Sequence, residues 1–375
     1  MRINRGLYTK AAPCLQLRLL LRADAKLDWL FASLMHVQPD QNVTMTNRPP
    51  TDHSKSPHHI VFLLLERFTL MAFAAAIEPL RLANRVAGKP LYSWSLVSEG
   101  GKTVRCSNGA EMAVTAALDE IPKDALILVC GGVDVQRATT PAILSWLRKR
   151  ARHGTMIGGI CTGAWTLAKA GLLDGCRATI HWENHDALIE DFPEIDLTKS
   201  VFVIHGNRLT SAGGTAPLDM MLALITSSEG PDLAHSVADQ MIYSSIRTNR
   251  DTQRLSIPAR IGVRHPKLAR VIEFMESHIE DPISPSDLAN EVNMSTRQLE
   301  RLFRRYLNRS PKRYYMELRL ERARNLLMQT DMSVISVALA TGFTSPSHFS
   351  KCYRAHYNTT PYRERGAHGR EDEPV

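Results

Sequence analysis

Apolar residues fall along this chain in two different rhythms. In the C-terminal third they repeat at helical spacing. Leu299, Leu302, Phe303 and Tyr306 stand at i, i+3, i+4 and i+7 and make one apolar face. Arg297, Gln298, Arg301, Arg304 and Arg305 lie off that stripe. Ser295 and Gln298 have capping-box spacing, which predicts a helix from Ser295 to about Tyr306. A short helix over Asp287–Val292, capped by Ser284 or Ser286, precedes it, with Asn293 and Met294 as the turn. The plan then recurs. A short apolar helix over Val334–Thr341 ends at Gly342, and Ser345 caps a second helix with Pro346 at its first position. Phe349 and Tyr353 face inward there, leaving Ser347, His348, Ser350, Lys351 and Arg354 outward. Pro311 opens the connecting helix, which runs to about Met328. Eighteen residues at 1.5 Å give roughly 27 Å. With the flanking turns, that length would let the two outward-facing helices span successive major grooves of a DNA duplex, about 34 Å apart.

The middle of the chain has the other rhythm. Continuous apolar runs at His59–Leu65, Tyr92–Ser98, Ala125–Cys130 and Thr155–Ile160 read as buried strands, with shorter ones at Ala178–Ile180, Val201–His205 and Leu209–Ser211. Val104–Val114 reads as a hairpin or short strands. Helices are predicted over Phe68–Ala87, Pro141–His153, Thr162–Ala170, Thr215–Ser227 and Leu233–Ile246. Strands that are apolar throughout and alternate with helices imply an α/β fold, a mostly parallel sheet covered by helices on both faces. An all-α domain with two helix-turn-helix units follows it. The expected organisation is a disordered extension over 1–56, an α/β domain over 57–245, a linker over 246–264, a DNA-binding domain over 265–365 and a disordered tail over 366–375. Met45 is a candidate start of translation.

The net charge of +8 is unevenly placed. Residues 260–365 hold 18 Lys and Arg against 11 Asp and Glu, a net of +7, whereas residues 57–245 hold 16 against 19, a net of −3. The basic footprint for phosphate therefore sits on the helical part. Six scattered cysteines form no C-x-x-C pair, which argues against zinc and suits a reducing, cytoplasmic setting. No apolar run reaches membrane-spanning length.

The C-terminal stretch resembles the DNA-binding domain of the AraC/XylS regulators. The residues that carry the likeness are Asp287-Leu288-Ala289, Met294-Ser295, Leu299-x-Arg301-x-Phe303, Arg319-Leu320-x-x-Ala323 and Gly342-Phe343-x-Ser345-x-Ser347-x-Phe349-x-Lys351, continuing through Tyr357, Pro361 and Arg365. At Cys352-Tyr353 the chain departs from the family's usual aromatic placement, and Tyr353 supplies the ring. In the middle domain, Gly159-x-Cys161-x-Gly163 joins a strand to a helix in the manner of a nucleophile elbow. With Gly131-Gly132, Ala168-x-Ala170-Gly171-Leu172-Leu173-Asp174-Gly175, Ala178-Thr179-x-His181-Trp182 and Ser211-Ala212-Gly213-Gly214, it resembles the PfpI-type, class I glutamine-amidotransferase-like domain, which is flavodoxin-like. The whole, roughly residues 58–365, resembles the GlxA-like subgroup of AraC-type regulators.

The residues themselves argue for sensing rather than catalysis. PfpI-type hydrolases place His directly after the cysteine, and here Thr162 stands there. Cys161 is thus expected to be a vestigial catalytic residue, with a pKa lowered by the helix N-terminus. The acid of such enzymes falls near Thr69, with Glu66 close by, and His181 is a candidate base. By the resemblance, three turns converge in the expected effector pocket, which comprises Gly131, Gly132, Cys161, Thr162, His181 and Trp182, at the carboxyl ends of the parallel strands. Base contacts are expected from Arg297, Gln298, Arg301, Ser347, His348 and Lys351, and phosphate contacts from Arg304, Arg305, Arg309 and Lys312. These features point to a transcription regulator that needs no cofactor or metal. Its expected partners are an operator in double-stranded DNA and RNA polymerase, and the resemblance implies two more, a small effector such as an amino acid or quaternary amine and a second copy of itself. The alternative is a cysteine-dependent amidase or hydrolase fused to a DNA-binding module.

Overall fold

The computed structural model describes residues 57–118, 122, 125–254 and 256–367. The extension expected over 1–56 lies outside the described residues. In chain order the first region contains β1 (His58–Leu64), α1 (Leu70–Ala87), β2 (Tyr92–Val97), β3 (Val104–Arg105), β4 (Glu111–Met112), β5 (Leu126–Cys130), α2 (Val135–Ala138), α3 (Pro141–Arg152), β6 (Ile157–Ile160) and α4 (Gly163–Lys169). It continues with β7 (Arg177–Ala178), a 3-10 turn at Trp182–Asn184, α5 (His185–Asp191), β8 (Asp196–Leu197), β9 (Phe202–His205), β10 (Arg208–Ser211), α6 (Ala216–Glu229) and α7 (Pro231–Gln240).

Six strands form one sheet in the order β2-β1-β5-β6-β10-β9, parallel except for the β10–β9 pair. Side chains alternate across the strands. Phe62, Leu64 and Leu128 join a core with residues of α1, α6 and α7. Val61, Leu63, Ile127 and Val129 join a second core on the other face with Trp146, Leu147, Leu167 and Leu188. Both faces are therefore buried, which is why β1 is apolar at every position from Ile60 to Leu64. The segment around 104–114 is a small antiparallel hairpin of β3 and β4.

The helix predicted over Leu233–Ile246 stops early, at Gln240. Ile242 adopts φ +53°, and among the described residues no helix or strand follows before Ser256. The reason is tertiary. Asp219, fully buried on α6, accepts the Arg247 backbone N–H at 2.7 Å, the Arg247 Nε–H at 2.9 Å and the Tyr243 hydroxyl at 3.1 Å. A buried carboxylate requires such partners, and satisfying it here draws the chain away from helical geometry. Residues 251–253 then run beside 199–201. Val201 N–H donates to Asp251 O at 2.9 Å, and Gln253 N–H donates to Lys199 O at 3.1 Å.

The helical region contains α8 (Ile257–Ile261), α9 (Pro266–Ser277), α10 (Pro285–Glu291), α11 (Thr296–Leu307), α12 (Pro311–Gln329), α13 (Val334–Ala340), α14 (Pro346–Tyr357) and α15 (Pro361–Ala367). Part of the expected linker folds into it. Ile257 of α8 is buried in the first helix-turn-helix core with Leu268, Leu288, Leu299 and Phe303. The second unit has its own core of Leu326, Val337, Phe343, Phe349 and Tyr353. Helix α12 serves both, placing Tyr315 in the first core and Leu320, Ala323 and Leu327 in the second. The last helix reaches Ala367, two residues into the segment expected as tail.

Candidate effector site and DNA interface

The cysteine turn is built by close packing. Cys161 has φ +58°, a strained conformation for a residue with a side chain. The turn brings α4 so close to the sheet that a Cβ at Gly163 would meet Val129 O at 2.1 Å, and one at Gly159 would meet Ala164 N at 2.5 Å. Glycine at both flanks is thus a steric necessity. Cys161 N–H donates to Ser211 O at 3.0 Å, which ties the elbow to the end of β10.

The thiol is buried, with 6% of the residue exposed. Burial pushes its pKa up. The Thr69 hydroxyl, with Oγ1 3.8 Å from Sγ, and the Thr162 N–H oppose that shift, while the Glu183 carboxylate adds to it. The expectation of a lowered cysteine pKa is therefore corrected. Desolvation of a thiolate outweighs what the two hydrogen bonds return. The Thr162 hydroxyl donates to Gly132 O at 2.7 Å, so the residue after the cysteine acts as a strut between two turns.

Four of the expected pocket residues pack together: Gly131, Gly132, Cys161 and Thr162. His181 and Trp182 form a neighbouring pair, with ring centroids 5.7 Å apart. Glu183 relates the two groups electrostatically. Its Oε2 lies 3.7 Å from His181 Nδ1, and its charge also raises Cys161. Burial lowers the His181 pKa, with Glu183 opposing.

Three further residues contribute to this area. Gly213 packs against the thiol, since an added Cβ would sit 2.9 Å from Sγ. Arg247, held by Asp219, reaches the Thr215 hydroxyl at 2.7 Å, just beyond Gly213-Gly214. Arg254 places its guanidinium carbon 4.4 Å from the Trp182 ring centroid. Gly213 was legible from its Ser-Ala-Gly-Gly motif, whereas the two arginines are distant in sequence and follow no local pattern.

In the helical region, Ser295 and Gln298 make the capping box. Gln298 N–H donates to Ser295 Oγ at 3.2 Å, and Ser295 N–H donates to Gln298 Oε1 at 2.8 Å. The Gln298 side-chain carbonyl is therefore engaged in the cap. Arg297, Arg301, Arg304 and Arg305 are exposed along α11, and Ser347, His348 and Lys351 along α14. Arg309 is ion-paired with Glu317. His348 Nε2 lies 3.4 Å from Cys352 Sγ, within α14.

A helix-turn-helix domain family matches residues 288–367, and the DJ-1/PfpI family matches residues 58–227. Among characterised relatives, the chain is 46% identical over 317 residues to the HTH-type transcriptional regulator GbdR of Pseudomonas aeruginosa, covering 84% of this chain and 86% of that protein. It is 48% identical over 304 residues to the regulator CdhR of the same species, covering 81% and 90%. To the regulator GlxA of Rhizobium meliloti it is 41% identical over 309 residues, covering 82% and 95%. A DJ-1/PfpI sheet followed by paired helix-turn-helix units is shared along nearly the whole described chain, and on that ground the protein belongs to the GlxA-like group of AraC-family, DNA-binding transcription regulators.

Proposed function

We propose that this regulator is controlled by a small metabolite bound at the cysteine turn, and that it performs no chemistry there. The observation that carries the reading is the state of Cys161. The thiol is buried, burial pushes its pKa up, and the position after it is a threonine whose hydroxyl is committed to Gly132 O. A nucleophilic cysteine needs a base that raises its thiolate fraction, and neither Thr69 nor Thr162 can serve as one. The same turns suit ligand binding. They lie at the carboxyl ends of parallel strands, where α/β sheets bind small molecules. Gly131, Gly132, Cys161 and Thr162 would face the polar end of the effector, and His181 and Trp182 its other end. An amino acid or quaternary amine fits an aromatic face beside such a turn.

The active species is proposed to be a cytoplasmic homodimer that presents four recognition helices to repeated or inverted half-sites and engages RNA polymerase. Arg297, Gln298, Arg301, Ser347, His348 and Lys351 would read bases, and Arg304 and Arg305 would hold phosphates.

The reading is tested by thermal unfolding of the full chain against a panel of amino acids and quaternary amines. A ligand that binds only the folded state raises the midpoint in a concentration-dependent way. Cys161→Ala is expected to keep that response. Amidase turnover that disappears in Cys161→Ser would instead establish the hydrolase alternative. Sedimentation of the full chain at micromolar concentration is expected to give a dimer.

A further inference from the structure

The linker reaches back onto the proposed effector site. Residues 251–253 pair with 199–201 through two backbone hydrogen bonds. The Gln253 side chain fixes the register, its Nε2 donating to Ile180 O at 2.8 Å and Thr179 Oγ1 at 2.9 Å. Ile180 immediately precedes His181-Trp182. The next residue, Arg254, lies over the Trp182 ring at 4.4 Å. Three positions later, Ile257 is buried in the core of the first helix-turn-helix unit.

The same turns touch the helix that joins the two DNA-reading units. Asp186, four residues after Trp182, pairs through Oδ2 with Arg322 Nε at 3.3 Å. Gln136, four residues after Gly132, donates through Nε2 to Gln329 O at 2.6 Å. Arg322 and Gln329 are seven apart on α12 and therefore share one face. Three contacts thus run from the site's turns to the DNA-binding region or to its leash.

We infer that Arg254 is an internal ligand of the effector site, and that a cationic effector acts by displacing it from Trp182. The inference rests on the proposed site at Trp182 and adds the manner of its regulation. An aromatic face accepts one cation at a time. A quaternary ammonium group and the Arg254 guanidinium compete for it, since both are attracted by the same ring quadrupole. With Arg254 seated, the linker is strapped to the sheet domain and α12 rests against α5 and α2. With Arg254 displaced, the strap loses its terminal anchor and the DNA-binding region gains freedom to move. A ligand shifts such an equilibrium only through differential affinity for the two states, and exclusion of Arg254 supplies that difference.

Tetramethylammonium chloride is a suitable probe, because it carries the cation without hydrogen-bonding groups. Calorimetric titrations of the full-length wild type, Arg254→Gln and Trp182→Leu would be compared at matched ionic strength. Arg254 is exposed, so its replacement leaves the fold intact. Arg254→Gln is expected to bind the probe about tenfold more tightly than wild type, and Trp182→Leu to lose binding. In wild type, saturating probe is expected to speed hydrogen exchange at the Val201 and Gln253 amides. Equal affinity in wild type and Arg254→Gln, with binding still lost in Trp182→Leu, keeps the site and overturns the competition. Binding that ignores Trp182→Leu, or no binding in any variant, overturns the cationic site and the inference with it.

Discussion

The two recognition helices, α11 and α14, have the same frame and different faces. Each is twelve residues long, and each has a serine cap whose side chain accepts the N–H three residues on. Each ends at an asparagine in the left-handed conformation. Inward, α11 buries Leu299, Leu302 and Phe303, whereas α14 buries Phe349 and Tyr353 in an aromatic row. That row runs from Phe343 to Phe349 at 5.0 Å, on to Tyr353 at 5.6 Å and to Tyr357 at 4.8 Å. Outward, α11 presents four arginines, while α14 presents Ser347, His348, Lys351 and Arg354. Packing fixes the inward stripe and the caps. The outward residues are free to differ, and they differ in kind. Guanidinium forks pair bidentately with guanine or phosphate, whereas an ammonium is a point charge. On the proposed reading, the first unit would therefore make the stronger, more geometry-dependent contacts.

The largest expected effect lies in the second unit's core. Phe349→Ala removes a fully buried ring that touches two others, and it should cost about 3–5 kcal/mol. Denaturant unfolding of the full chain would read this, with an early transition assigned to the second unit because its core is separate from the first. Loss of both units in one step would show that α12 couples them more strongly than their separate cores suggest.

The next prediction sharpens the outward contrast. Arg301→Ala should weaken operator binding by about 1–3 kcal/mol, concentrated at one base pair. Lys351→Ala should cost less, with a smaller dependence on sequence. Binding to a set of single-base operator variants separates the two cases. A uniform loss across all variants in Arg301→Ala would make it a phosphate contact and remove the proposed asymmetry.

The smallest effect probes the aromatic row. The buried Tyr353 hydroxyl has no hydrogen-bond partner among the described residues, and burial raises its pKa further above the usual tyrosine range. Tyr353→Phe should leave stability unchanged or raise it by up to about 1 kcal/mol, since an unsatisfied buried hydroxyl is removed with the ring kept. A loss of more than that in urea unfolding would mean that the hydroxyl makes a bond, through water, that the ring row hides.

Local physics explains what could be read early. Ser295 and Gln298 announced the start of α11 because a cap acts over three residues. Gly159 and Gly163 announced the elbow because close packing excludes any side chain there. The unbroken apolar run from Ile60 to Leu65 announced a strand with both faces buried. The division of charge placed the nucleic-acid face on the helical region.

The protonation of Cys161 was not legible in this way. A helix N-terminus lowers a thiol pKa and burial raises it, and the depth of the thiol, tied to Ser211 and packed against Gly213, decides the sign. The end of α7 was hidden for a similar reason. Its apolar spacing continues past Gln240, but Asp219, more than twenty residues earlier, captures Tyr243 and Arg247 and turns the chain away. The seat of Arg254 on Trp182 belongs with these, because it joins residues 72 positions apart across two elements. Periodicity, caps and glycines are short-range constraints, so the sequence by itself determined most of the elements, the serine caps of the recognition helices and the family they compose. Desolvation and long-range pairing depend on which distant segments meet, and those the tertiary structure alone decided.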